Sequence, residues 1–460
     1  MLGPSRRNAI VAAVSIFLFI SLWLGRDQLE NTSIGTSIGN KINTFQGVTS
    51  KRPAEVDLFL EQVFSVDKPR KHEYPALKYM CDNTVWRPEL KDVYIHCVYM
   101  FAGMTSIVSQ IKVCLKMATE TGSNILLPSM PLRDSKVLQE FNLNNADKYL
   151  PYDQWFDADH LTEVMGRVCP QIKILRPDQV GPGKIAIKNK WDIDIGKAPG
   201  YHQFTSHFWT GRPFKEFFDD QFDELVAKAP KDSLAPPGIT QIDIASLFLL
   251  FKITDDPTHR DLKLWNEFSL LIRYLKGVRT VAIKLLDEIP RPFYGVHFRV
   301  ENDTIWSSLE TQLSRDLDAL DQAWEQFRDD VVVSSGPPKK PPVYLACGDE
   351  AAMKKFIEEG EKRGWEVTHK WDLARKHSDQ TVVAQIDALA FDFQGAVDQG
   401  VMLEASFFLG ISGSAFSSTT ANARDVTGRY RGSSFTNVVD ENARNHLFND
   451  GDASSYACCL

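Results

Sequence analysis

The chain has 460 residues, of which 43% are hydrophobic, 24% charged and 11% aromatic. That composition is globular, and the length exceeds one ordinary core, so two domains are expected. The formal net charge of −8 excludes a nucleic-acid-binding protein built to track a phosphate backbone, while leaving room for a local basic pocket that takes one nucleotide.

Arg6 and Arg7 precede residues 9–25, which are apolar apart from Ser15 and Ser21. These 17 residues reach the lower limit for a spanning helix. A cleaved signal peptide is the alternative, but Leu22-Trp23-Leu24-Gly25 makes a poor cleavage site. With the Arg pair on the N-terminal side, residues 1–8 are expected to be cytosolic and the rest lumenal. That describes a single-pass type II anchor in the endoplasmic reticulum or Golgi membrane. Residues 26–55 are rich in Asn, Ser, Thr and Gly and read as a flexible stem. The seven cysteines would partly pair in an oxidising lumen, and their odd count leaves at least one over. Cys97 and Cys114 have apolar neighbours and are equally readable as buried thiols.

Order is expected from about residue 56. Residues 93–99 form an apolar, β-branched run of strand length, and Gly103 turns the chain into a helix over 106–120. Ile107, Ile111, Cys114, Leu115 and Ala118 recur there at spacings of three and four. Gly122 ends the helix and residues 124–128 supply the next strand, giving a βαβ unit and hence a parallel sheet. Residues 172–175 and 184–187 are candidate extensions of it. A long helix over 264–286 then leads to a strand over 293–298. Leu313, Leu317, Leu320, Trp324 and Phe327 mark a helix packed on a sheet. After the Pro-rich connector 334–342 come a strand over 343–347, a helix capped by Asp349 and closed by Gly364, and a strand over 365–369. The expected fold class is α/β, with two tandem Rossmann-like domains over 56–285 and 286–460 and a cleft between them.

His297, Arg299 and Asp303 stand where a strand ends, which is where open parallel sheets place ligands. Sugar transfer from a nucleotide diphosphate leaves negative charge on the departing phosphate, and an Arg fork there stabilises it. Asp303 is placed to hold the guanidinium and His297 to donate to a phosphate or ribose oxygen. Further on, a strand ending at Gly410 opens into Ser412-Gly413-Ser414-Ala415-Phe416-Ser417, with a helix from about residue 417. Small residues at a helix N-terminus let backbone N–H groups approach a phosphate. Asp398 is suited to accept two N–H bonds from the guanine edge.

Together these elements resemble the GDP-fucose protein O-fucosyltransferase family. Its His-x-Arg-x-x-x-Asp is matched by His297, Arg299 and Asp303. Its later pattern, an Asp followed by an apolar-rich helix, Phe-x-Gly and Ser-x-Phe, is matched by Asp398, Phe408, Gly410, Ser414 and Phe416, and the likeness continues through Arg424-Asp425 to Gly428-Arg429. Gly103-Met104 and Leu126-Leu127-Pro128 are similar to the family's first βαβ unit, and residues 156–160 to a segment of plant relatives. The resemblance implies a GT-B fold, GDP-fucose as donor, inverting transfer to a protein or glycan hydroxyl, and neither metal nor cofactor. It also implies Arg299 as the catalytic residue. The donor contacts would be His297, Arg299, Asp303, Asp398, Ser414, Ala415, Phe416, Ser417, Gly103 and Thr105. Three positions depart from the pattern: Thr105 replaces a donor-facing Asn, Ala415 replaces a second Ser, and Ala102 stands where some relatives carry a candidate Glu base.

A general base is not singled out, with Asp157, Asp159 and Glu301 as candidates. Trp155, His207 and Trp209 are candidates for an acceptor groove, with core packing the favoured role of each aromatic. Two rival functions stay open. One is a metal-dependent transferase using another nucleotide sugar through an Asp-x-Asp pair: Asp157/Asp159, Asp192/Asp194 or Asp316/Asp318, the last on a solvated helix face. The other is a catalytically silent GDP-sugar-binding or lectin-like relative.

Overall fold

The run Val93–Val98 forms β1, the middle strand of a parallel sheet in a computed structural model. The structure describes residues 58–136, 138, 148–197, 204–205, 214–246, 251–252, 260–300, 308–328, 339–411, 414–427, 434–437 and 446–447. The expected anchor, stem and C-terminal tail lie outside these residues. Among the described residues no helix is long and apolar enough to cross a membrane.

β1 leads through helix α1 (Met104–Thr121) to β2 (Asn124–Leu126), followed by β3 (Ile174–Leu175), β4 (Ile187–Ile193) and β5 (Ile239–Ala245). All neighbours are parallel in the order β3-β2-β1-β5-β4. The candidate strand over 184–187 falls one element early: only Ile187 belongs to β4, which is an edge strand. β5 escaped the sequence reading, yet it is the inner neighbour of β1, with Ile95 beside Ile242 and Cys97 beside Ile244. The helix expected over 264–286 is two, α2 (Arg260–Leu271) and α3 (Lys276–Glu288). They part where Tyr274 bridges to the backbone of Phe156.

The second sheet comprises β6 (Tyr294–His297), β7 (Val343–Ala346), β8 (Val367–Thr368), β9 (Phe407–Ile411), β10 (Ser434–Asn437) and β11 (His446–Leu447). Its order is β8-β7-β6-β9-β10-β11, parallel except for the last pair. Helix α4 (Leu309–Phe327) carries the expected stripe, with Leu313, Leu317, Leu320 and Trp324 all buried. Asp316 on that helix is buried as well, at 2% exposure, which corrects its assignment to a solvated face. Asp349 caps α5 (Glu350–Lys362) by accepting from Ala352 N at 2.7 Å. Helix α6 (Phe391–Met402) precedes β9, and α7 (Ala415–Thr427) follows it. Both sheets are thus open and parallel about their first strands, as a doubly wound α/β architecture requires.

Helix α1, in the lobe built on the first sheet, is buried on every side, not along one stripe, because α6 and α7, of the lobe built on the second sheet, pack against it as well as helices of its own lobe. Several of its polar groups are paired internally. Lys116 reaches Glu120 at 2.6 Å and Asp261 of α2 at 3.2 Å, all three being at most 1% exposed. Disulfides Cys97–Cys114 and Cys81–Cys169 tie α1 to β1, and the helix Pro75–Asn83 to residue 169. The pairing settles the open reading of Cys97 and Cys114. Cys347 is a buried thiol.

Gly400 lets α6 approach α3 and the N-terminal segment. A Cβ there would stand 2.6 Å from Phe64 Cε1 and 2.9 Å from Ala282 Cβ. Overpacking of this kind costs about 1–3 kcal/mol, against a helix-propensity gain of about 1 kcal/mol over glycine. Gly400→Ala is therefore expected to destabilise the protein by up to about 2 kcal/mol in urea unfolding. An unchanged midpoint would show that Phe64 yields freely.

Candidate active site

A cleft of about 860 Å³ is lined from both lobes. In the second lobe, the segments after β6, β7, β8 and β9 all contribute, through His297 and Arg299, Ala346 to Gly348, Lys370 and Trp371, and Ser414 to Phe416. These are the carboxyl ends of parallel strands, and β6 and β9 flank the point where strand order reverses. The first lobe adds Ala102 to Ser106, at the start of α1, and Leu132 to Ser135.

Of the expected donor contacts, His297, Arg299, Asp398, Ser414, Ala415, Phe416, Gly103 and Thr105 line this one cleft. Asp303 and Glu301, like His207 and Trp209, lie outside the described residues. Two positions are refined. Helix α7 begins at Ala415, so Ser414 stands at its N-terminal boundary. Asp398 lies within α6, not ahead of a helix.

Ser417 does not line the cleft but lies 0% exposed beneath it and holds His297. Its Oγ accepts from Ile411 N at 3.0 Å and sits 2.7 Å from His297 Nδ1. With the hydroxyl's lone proton directed at Nδ1, the ring proton falls on Nε2. Phe416 packs on the same imidazole, with ring centroids 4.4 Å apart. Gly410 is required by this arrangement, since a Cβ there would meet Ser417 Oγ at 2.5 Å. The Phe-x-Gly and Ser-x-Phe patterns therefore build a support for the histidine as much as a turn.

Arg299 is gripped through its backbone. With the buried Gln312 amide oriented to satisfy both groups, its nitrogen donates to Arg299 O at 2.8 Å and its oxygen accepts from Arg299 N at 3.0 Å. The guanidinium is thereby delivered from a fixed main chain. Arg424, in the tail of the motif, is structural. It is wholly buried, and its Nη1 donates to Met402 O at 3.1 Å and Leu403 O at 3.2 Å, binding carbonyls at the end of α6.

Three features were not foreseen. Asp392, 0% exposed, accepts from Met104 N at 3.2 Å and from Arg133 Nε and Nη2 at 3.0 and 2.7 Å, so a carboxylate of the second lobe meets the N-terminus of α1. Gly103 accommodates that Arg133 guanidinium at close range. Asp398 is engaged at both oxygens, by Tyr344 OH at 2.6 Å and Lys370 Nζ at 2.6 Å. Burial, with the Asp398 charge beside it, raises the Tyr344 phenol well above its ordinary pKa, so it remains a donor. No sequence spacing announces these pairs, whose partners are 28 to 288 residues apart.

The remaining candidates fall elsewhere. Asp157 caps the helix Ala158–Val168 by accepting from His160 N at 3.1 Å and faces Arg273 and Arg279. Asp159 is exposed and pairs with Arg176. Trp155 is 0% exposed in the core, which decides between its two readings in favour of packing. Asp318 pairs with Arg363, and Asp192 and Asp194 are exposed. None of these lines the cleft. Among the described residues, no group of three His, Cys, Asp or Glu side chains is gathered to hold a metal.

No protein-family model matches the sequence, and no curated protein matches it. Solved structures do. The chain is similar to a crystal structure of POFUT1 in complex with GDP, at 14% identity and a TM-score of 0.41, over 77% of this chain and 98% of that one. It is similar to POFUT1 in complex with GDP-fucose at 13% and 0.42, over 73% and 94%. Fucosyltransferase NodZ from Bradyrhizobium follows at 11% and 0.36, over 77% and 97%.

The support beneath His297 is testable without a ligand. Ser417→Ala leaves the buried Ile411 N–H without its acceptor, at a cost of about 1–3 kcal/mol in denaturant unfolding. It also frees the imidazole, so 15N shifts of the His297 ring should move from a single Nε2–H tautomer towards a mixture. A ring tautomer unchanged in the variant would exclude Ser417 as its determinant.

Proposed function

We propose that the protein is a glycosyltransferase that binds a GDP-sugar in this cleft and transfers the sugar to a hydroxyl of a protein or glycan. The observation that carries the proposal is the convergence of His297, Arg299, Asp398 and the Ser414–Phe416 segment on one cleft at the carboxyl ends of a parallel sheet. Those residues belong to two motifs about a hundred positions apart in the sequence, and the pairing of β6 with β9 brings them together. Fucose as the sugar, and inversion at its anomeric carbon, rest on the motif resemblance. So does independence from a metal.

In this proposal Arg299 and the Nε2–H of His297 face the charge that develops on the departing diphosphate, the N-terminus of α7 supplies further backbone donors, and Asp398 meets the base. Arg299 acts late, on the leaving group, which is why it is assigned to catalysis as well as binding. A lumenal site in the endoplasmic reticulum or Golgi, behind an anchor at residues 9–25, is part of the same proposal. Two disulfides in the first lobe support an oxidising compartment. A silent GDP-sugar-binding relative is the second reading, favoured by the departures at Thr105 and Ala415, which both line the cleft.

Equilibrium titration with GDP-fucose, GDP-mannose and UDP-sugars separates these possibilities. Wild type is expected to prefer the GDP-sugars, and Arg299→Ala to lose about 10–100-fold in affinity, the worth of a hydrogen bond to a charged group. Equal binding by the two proteins would remove the central claim. Turnover that survives a chelator supports the metal-free transferase, and tight binding with no turnover on any acceptor supports the silent relative.

A further inference from the structure

The Lys370–Asp398 pair is both buried and open to the cleft. The two side chains are 5% and 7% exposed, and both residues line it. A buried ion pair seldom exceeds its own desolvation penalty, so its presence in a binding cleft calls for a reason other than stability. Its geometry supplies one. Tyr344 OH is 2.6 Å from Oδ1 and Lys370 Nζ is 2.6 Å from Oδ2. Three polar atoms are therefore set in a fixed order: the acceptor Oδ1, the acceptor Oδ2 and the donor Nζ. Each carboxylate oxygen keeps a further lone pair, and the ammonium carries three donors. Lys370 is held from a second side by Trp371, whose ring centroid is 4.5 Å from Nζ.

Resting on the reading of this cleft as a GDP-sugar site, we infer that Lys370 is a specificity-determining residue that donates to O6 of guanine while Asp398 accepts from N1–H and N2–H. The guanine edge runs N2–H, N1–H, O6: donor, donor, acceptor, the complement of Oδ1, Oδ2, Nζ in the same order. Adenine turned to this edge sets its amino group against the ammonium, donor against donor. Uracil matches Nζ with O4 and one carboxylate oxygen with N3–H, but brings O2 against the other. Each mismatch leaves a buried polar group unpaired, the most effective way for a site to reject an analogue. The carboxylate alone would count N–H groups, whereas the pair also requires an acceptor at one end. Tyr344, held in its donor form, fixes the other end of the carboxylate.

The test is equilibrium titration of wild type and Lys370→Met with GDP and 6-thio-GDP, in which a sulfur, a weak acceptor, replaces O6. Wild type is expected to bind GDP about tenfold more tightly, and Lys370→Met to bind the two within about twofold of each other. Equal wild-type affinities for the two nucleotides would overturn the inference, as would a tenfold preference that persists in Lys370→Met. If that variant binds neither nucleotide, Lys370→Arg takes its place, because it keeps the counter-charge of Asp398 while moving the donors. Loss of the preference there supports the assignment, and a preference kept while the wild-type Lys370 ammonium 15N resonance does not move on GDP binding refutes it. Failure of wild type to bind GDP at all would instead bring down the GDP-sugar reading on which this inference stands.

Discussion

The rest of the molecule depends on a helix with no solvent-facing side. α1 is enclosed by helices of both lobes, so every polar group along it must find a partner inside the protein. Lys116 is satisfied by Glu120 and Asp261, all but fully buried, and Gln110 by the Phe101 and Ser106 carbonyls at 2.8 and 3.0 Å. Such a network adds little net stability over an apolar replacement, but losing one member strands a buried charge. It therefore fixes where α1 lies more than how strongly it is held. The N-terminus of α1 forms part of the cleft, so that position sets the geometry of the site.

The cleft balances charge locally within an acidic chain. Arg133 faces Asp392 and Lys370 faces Asp398, in each case a cation against a carboxylate that is almost wholly buried. Arg299 is carried by a backbone that Gln312 holds. The site is thus assembled from pre-paired parts, which lowers the reorganisation needed when an anion enters. Residues remote in sequence do the holding, while those in recognisable motifs present themselves to the cleft.

That division explains what could be read from the sequence. His297 and Arg299 were legible because a buried strand followed by polar residues has a position in an open sheet, and Ser414 to Phe416 because small residues mark a strand-to-helix turn. Ser417 has the position of a donor contact, but its hydroxyl faces inward to His297 and the Ile411 N–H, a direction that no sequence pattern reports. Strand β5 is hard to read because Thr240, Gln241 and Asp243 interrupt its isoleucines, like a half-exposed strand or loop, whereas all three are buried in the sheet. The break between α2 and α3 carries no proline. It arises from a tertiary contact, the bridge between Tyr274 and Phe156, which local propensity does not encode. Lys370, Asp392 and Arg133 were silent for the same reason: their meaning lies in partners across the fold.

A helix shared by two lobes also constrains how the chain is made. α1 ends at Thr121 and its second-lobe cover begins at Phe391, so 391 − 121 = 270 residues must still be synthesised before that face can be closed. At about 5–20 residues per second this leaves it open for roughly 15–50 s on the ribosome. The first lobe cannot reach its final packing alone during that interval, and a nascent chain with such a face uncovered is a natural client for chaperones. The disulfide between Cys97 and Cys114 closes a loop within the early part of the chain, so it is available to hold α1 against β1 through the wait.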